Sequence, residues 1–207
     1  MRLLEITASN RVEGSPSRSL SAAFISAWRE RHPAAAVVTR DVGAAPPDHP
    51  SGFASRANYT PAADRTPEMV SALAPSDALI DEFLAADRIV VAAPMYNFSV
   101  PSTLKAYIDN IVRVGRTFAF DPATFQFTGL ATGKRAVVVT TSAGDYPAGS
   151  PMAAMDFHAP YLRAVLTFMG VADVAVVSAP NQFAPDPVRS EAAAKARAEL
   201  LRLVADW

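Results

Sequence analysis

Apolar residues in this chain fall into short β-branched runs separated by longer stretches where they recur at helical spacing. Arg2–Ala8 carries Leu3, Leu4 and Ile6 and reads as a first strand. Ala35–Val42, with Val37, Val38 and Val42, reads as a second. Ile89–Ala93 is a continuous apolar run that Pro94 stops, the pattern of a parallel strand buried on both faces. Lys134–Thr141, centred on Val137, Val138 and Val139, and Val171–Ala179 complete the set. Between these runs, Leu20, Phe24, Ile25 and Trp28 mark a helix. Further helical signals follow Thr66-Pro67-Glu68 and resume at Ser76–Leu84, where Ser76 reads as a cap with acids in the first turn. Leu104, Ile108, Ile111 and Val112 form another stripe, with Ser99 or Ser102 as its cap, Pro101 near its start and Gly115 at its end. Asp156–Met169 and Pro187–Trp207 are the last two helical segments. Strand and helix alternate throughout, which predicts an α/β fold: a doubly wound five-stranded parallel sheet with helices on both faces, in one domain over 1–207.

Two segments stand outside that rhythm. Gly43–Arg65 is long, rich in proline and alanine, and carries Phe53 and Tyr59. A loop of that length in a compact domain is usually functional or mobile. Thr117–Phe127 alternates Phe118, Phe120, Phe125 and Phe127 around Asp121-Pro122 and predicts a small hairpin, its aromatics packed on the core or set in an interface.

Composition narrows the function. Half of the 207 residues are hydrophobic and 19% are charged, as in a globular protein. Nineteen Lys+Arg against 20 Asp+Glu leave a formal charge of −1, so nucleic acid and anionic membranes are not expected partners. No apolar run approaches a membrane span, and Met1-Arg2-Leu3-Leu4 leads directly into a strand rather than a signal peptide; the expected location is cytoplasmic. The absence of cysteine excludes disulfides, thiolate nucleophiles and cysteine-ligated metals. His32, His49 and His158 lack metal spacing. Thr132-Gly133-Lys134 is not a P-loop, because residue 128 is threonine and the motif precedes a strand. No two glycines lie two apart, so no Gly-x-Gly-x-x-Gly fingerprint exists, and there is no Gly-x-Ser-x-Gly elbow.

Candidate chemistry sits in loops after the first, third and fourth strands. Ser9 to Arg18 is hydroxyl-rich and leads into a helix. Ser9, Ser15 and Ser17 are either solvated cap residues or donors around a phosphate at the helix N-terminus. Met95-Tyr96-Asn97-Phe98 offers apolar faces and backbone N–H groups but no acid, base or thiol; it is either a core-packed turn or a seat for a flat conjugated ligand. Ser142-Ala143-Gly144-Asp145 is small enough for the backbone to approach a ring.

The stretch Pro94-Met95-Tyr96-Asn97-Phe98, followed by Leu104-Lys105-Ala106-Tyr107-Ile108-Asp109, closely resembles the flavin loop of the FMN-dependent NADH-azoreductase family, the flavodoxin-like quinone and azo reductases. The resemblance implies a flavodoxin-like strand order with FMN as cofactor. It puts the FMN phosphate on Ser9 and on Ser15-Pro16-Ser17. The ring falls to Met95, Tyr96, Asn97 and Phe98, and to Ser142, Ala143, Gly144 and Asp145, where the family usually has a second glycine in place of Asp145. It further implies a homodimer with flavin sites at the interface, Phe120 at the pocket entrance across the dimer, and residues 43–65 over the neighbouring flavin. Tyr59 and Phe53 are then candidate substrate contacts. The implied reaction is two-electron and ping-pong, from NADH through FMN to quinones and azo compounds, with no catalytic side chain. A flavodoxin-type FMN electron carrier is the alternative. Such carriers are usually strongly acidic to dock redox partners, and this chain is not. A degenerate relative that binds no flavin is a third reading.

Overall fold

A computed structural model describes residues 1–207. Its sheet is parallel, in the order β2-β1-β3-β6-β7. The strands are β1 (Arg2–Thr7), β2 (Ala36–Asp41), β3 (Arg88–Pro94), β6 (Arg135–Thr141) and β7 (Asp173–Ala179). This is the flavodoxin-like doubly wound order, with its switch between β1 and β3. β3 is the central strand. Ile89, Val90, Val91, Ala92 and Ala93 are all buried because both faces of the sheet are covered. Pro94 ends the strand yet keeps its register opposite Thr141.

Helices α3 (Pro67–Leu84), α4 (Ser102–Ile111) and α5 (Ala159–Phe168) contribute Ile80, Phe83, Leu104, Tyr107 and Leu162 to one core layer, against Leu4, Ile89 and Val138. Helices α1 (Pro16–Arg31) and α6 (Val188–Val204) cover the other face, where Phe24, Trp28 and Leu200, with the C-terminal Trp207, pack on Leu3, Val90 and Val137. Each such side chain taken from water contributes about 1.5–3 kcal/mol. No helix is long and apolar enough to cross a membrane.

Four local expectations are corrected. Residues 43–65 are not one loop: α2 (Gly52–Tyr59) forms inside them, with the Ser51 hydroxyl accepting the Ala54 N–H at 3.1 Å. Ser76 is no cap. Helix α3 runs unbroken through Pro75, and the Ser76 hydroxyl instead donates to the Asn110 carbonyl of α4 at 2.6 Å. Neither Ser99 nor Ser102 caps α4; Pro101 occupies the cap position, and the Ser99 backbone is engaged with Tyr96. Gly115 is left-handed, with φ +74°, but α4 has already ended at Ile111, so Gly115 turns the chain toward the hairpin.

That hairpin is β4 (Phe118–Asp121) with β5 (Gln126–Gly129), antiparallel as expected. Phe118 and Phe127 stack on Phe168 of α5, with ring centroids 4.9 and 5.7 Å away. Phe125 points outward and is 77% exposed.

Candidate functional site

Parallel strands deliver their following loops to one edge of the sheet, and a cleft of ≈ 1430 Å³ opens there. Its walls come from the loops after β1, β3, β6 and β7 and from the first turns of α1 and α6.

The loop after β1 is held from beneath. Arg18 of α1 makes a two-pronged ion pair with Asp41 at the end of β2, both contacts 2.7 Å, and donates to the Ser9 carbonyl. This pairing raises the Arg18 guanidinium and lowers the Asp41 carboxyl from their ordinary values. Gly43 passes so close that a Cβ there would lie 2.2 Å from the Ser9 oxygen. Ser9, Ser15 and Ser17 are all buried, and the Ser15 and Ser17 hydroxyls share a hydrogen bond of 3.2 Å. Ser15 is the N-cap of α1, but its side chain caps no N–H. The first-turn amides of α1 therefore have no acceptor within the helix and no cap. The result is a concave set of donors at a positive helix end, suited to a phosphate.

The loop after β3 is a two-residue turn. Tyr96 and Ser99 exchange both backbone hydrogen bonds, at 2.9 and 3.0 Å. Asn97 and Phe98 between them have φ of 47° and 70°, the left-handed pair of a type I′ turn. Asparagine tolerates that region; phenylalanine there is strained. Neither the Asn97 nor the Phe98 N–H meets an acceptor in the protein. Three contacts fix the turn. The Phe98 carbonyl accepts the Phe157 N–H at 3.0 Å, the Met95 N–H donates to Thr141 at 2.7 Å, and the Tyr96 hydroxyl donates to the Asn10 side chain. The last bond joins the loop after β3 to the loop after β1.

The loop after β6 is backed by the loop after β7. Gln182 N–H donates to the Ser142 carbonyl at 2.9 Å, and Asn181 N–H to the Gly144 carbonyl at 3.2 Å. The Ser142 hydroxyl also reaches the Gly144 carbonyl, at 2.7 Å. Neither Gly144 nor Asp145 has a positive φ, so aspartate is accommodated at 145 without backbone strain, and it is exposed.

Among the residues singled out from sequence, Ser9, Ser15, Pro16, Met95, Tyr96, Asn97, Ser142 and Ala143 line this cleft together. Ser17 lies behind Ser15, bonded to it. Phe98, Gly144 and Asp145 sit in the same loops but outside the lining, with Phe98 edge-on to Tyr146. Tyr59, on α2, faces a second cavity of ≈ 780 Å³ between α2, α3 and α4, and Phe120 lies on the hairpin. Sequence reasoning missed Asn10, Arg11, Gln182, Phe183 and Arg189 of the lining. Gln182, Phe183 and Arg189 follow the last strand, and only the sheet order brings them beside α1; their nearest signal was their place at the end of a strand. His158 is buried beside the site, and burial pushes its imidazole down to about 4.

Comparison with known proteins adds to this geometry. The family model described as "Flavodoxin-like fold" matches residues 1–203. A protein of Nostoc punctiforme named FMN-dependent NADH:quinone oxidoreductase is 44% identical over 207 residues, covering all of both chains. One of the same name from Herminiimonas arsenicoxydans is 44% identical over 177 residues, 86% of this chain and 85% of that one. Among solved structures, an FMN-dependent NADH-azoreductase from Bacillus anthracis in complex with FMN superposes with a TM-score of 0.87. It is 23% identical, with 99% of this chain and 98% of that one covered; the likeness is one of fold. By its strand order and its full-length identity, the chain belongs to the flavodoxin-like fold family and, within it, among the FMN-dependent NADH:quinone oxidoreductases.

Proposed function

We propose that this enzyme holds FMN in the cleft and passes two electrons from NADH to quinones and to azo compounds by a ping-pong route. The observation that carries the reading is the turn at 96–99. It presents two adjacent unpaired N–H groups at the end of the central strand, beside a buried three-serine cradle. The residues fit the cofactor at both ends. Ser9, Ser15, Pro16 and Ser17 with the start of α1 suit the phosphate, and the free amides of Asn97 and Phe98 suit the polar edge of the ring. Met95 and Tyr96 supply apolar packing; Ser142 and Ala143 line the cleft with them, and Gly144 and Asp145 continue the same loop just outside the lining.

Bound FMN supplies the hydride-accepting and electron-donating chemistry. The protein's part is to bind, orient and shield. No histidine, lysine or acid lines the cleft, so protons taken up by a reduced acceptor come from solvent. In this reading NADH and the acceptor use the same face of the flavin in turn. Initial rates measured against NADH at several fixed benzoquinone concentrations should give parallel double-reciprocal lines; intersecting lines would contradict the ping-pong order.

The reading includes a homodimer. Phe120, Phe125 and Phe127 expose apolar area on one hairpin, and a second copy of the chain is the occupant that would cover it. In that arrangement Phe120, and Tyr59 on α2, are the candidate acceptor contacts to the neighbouring site.

A further inference from the structure

The phosphate end of the cleft has a charge pattern that its hydroxyls do not explain. The chain carries 19 basic and 20 acidic residues, close to balance. Yet Arg11 and Arg189 are the charged side chains that line the cleft, and no acid joins them. Arg11 lies in the loop after β1, and Arg189 in the first turn of α6. The two elements come from opposite ends of the sequence. They meet because α1 and α6 pack on the same face of the sheet, with Phe24 and Leu200 in one core layer, and the first turns of both helices line the cleft.

Arg18, the other arginine at this end, is committed to Asp41 and to the Ser9 carbonyl. Its charge is therefore already matched. The Arg11 side chain makes no hydrogen bond or ion pair within the protein. Arg189 makes one contact, Nη2 to Asp186 at 2.7 Å, an exposed pair within one turn. Such pairs are weakly held, and a guanidinium has four further N–H donors to offer. A dianionic group seated on Ser9, Ser15 and Ser17 would share the cleft with these two arginines and bring a negative charge that no lining side chain supplies.

We propose that Arg11 and Arg189 form a two-sided clamp that neutralises the terminal phosphate of the flavin and makes retention of the cofactor depend on that phosphate. The inference rests on the reading that FMN occupies this cleft. It assigns to α6 a binding role beyond covering the sheet.

The test is flavin binding rather than turnover. The full-length protein is stripped of flavin and titrated with FMN and with riboflavin, which lacks the phosphate, following quenching of flavin fluorescence. Arg11→Ala and Arg189→Ala should each weaken FMN about tenfold, the double variant about a hundredfold, with riboflavin changed less than twofold. Arg189→Lys, which keeps the charge, should retain most of the FMN affinity. Added salt should weaken FMN in the wild type and do so less in the double variant. Unchanged FMN affinity in both variants overturns the clamp. An equal loss for FMN and riboflavin also overturns it, since it would mark a general disturbance of the cleft. A raised KM for NADH with FMN affinity intact would place the held phosphate on the dinucleotide instead and overturn the assignment. Wild-type protein that binds neither flavin removes the FMN reading itself, a failure visible before any variant is made.

Discussion

Asn97 and Phe98 show how single residues set the site. Two consecutive left-handed residues leave their N–H groups without an acceptor in the protein, while the flanking Tyr96 and Ser99 close the turn. A β-branched side chain cannot take that conformation without strain of about 1–3 kcal/mol. Asn97→Val should therefore lower thermal stability by that amount and weaken FMN at least tenfold, whereas Asn97→Gly should keep both; equal melting temperatures for valine and wild type would contradict the turn's role. His158 makes a second test. Its imidazole is buried, its Nε2 has no partner, and burial brings it from 6.5 down to about 4. Between those values the unfolded chain holds a proton that the folded chain does not, so stability should fall as pH drops from about 6.5 toward 4. The full effect is about 3 kcal/mol. Replacing His158 by Asn should flatten the stability–pH curve in that window, read by urea unfolding across the range; an unchanged slope would rule the histidine out. The sequence marked Asn97 and Phe98 as candidates for a ligand loop but gave no sign of their backbone angles, which depend on the Thr141 and Phe157 contacts.

At the scale of elements, strand-end loops were legible because the binary pattern located the strands, and parallel sheets send those loops to one edge. The departures have physical causes. Helix α2 is eight residues long, opens on glycine and buries only Ala57, so it leaves little periodic signal. Pro75-Ser76-Asp77 looks like a helix start. The helix continues because Leu73, Leu79, Ile80 and Phe83 stay on one buried face and Ser76 ties it to α4. The aromatic hairpin was readable as a hairpin, but not its seat on α5. That seat depends on a close crossing, where a Cβ on Gly129 would stand 2.3 Å from the Gly170 nitrogen. Gly129→Ala should push the hairpin off α5 and cost about 1–3 kcal/mol, measured by thermal unfolding. A variant as stable as the wild type would show that the hairpin is docked loosely.

For the whole molecule, fold, cleft and family agree: the β2-β1-β3-β6-β7 order, a donor-lined cleft at its switch point, and a full-length relative at 44% identity. The sequence carried the family through Pro94–Phe98 and Leu104–Asp109. It did not show that α6 shares a cleft with Ser9 and Ser15, because that neighbour exists only once β7 is placed at the sheet edge. The proposed dimer makes a prediction at this scale. Phe120→Ser with Phe125→Ser and Phe127→Ser should shift the molar mass in light scattering from two copies toward one, while a mass of one copy for the wild type would oppose the homodimer. The most direct test of the central claim is an anaerobic absorption spectrum of the purified protein, taken before and after NADH and again after benzoquinone. The account predicts an oxidised flavin band that NADH bleaches in one two-electron step and that quinone restores in full. A bound flavin that NADH leaves untouched, or that changes one electron at a time, would contradict it.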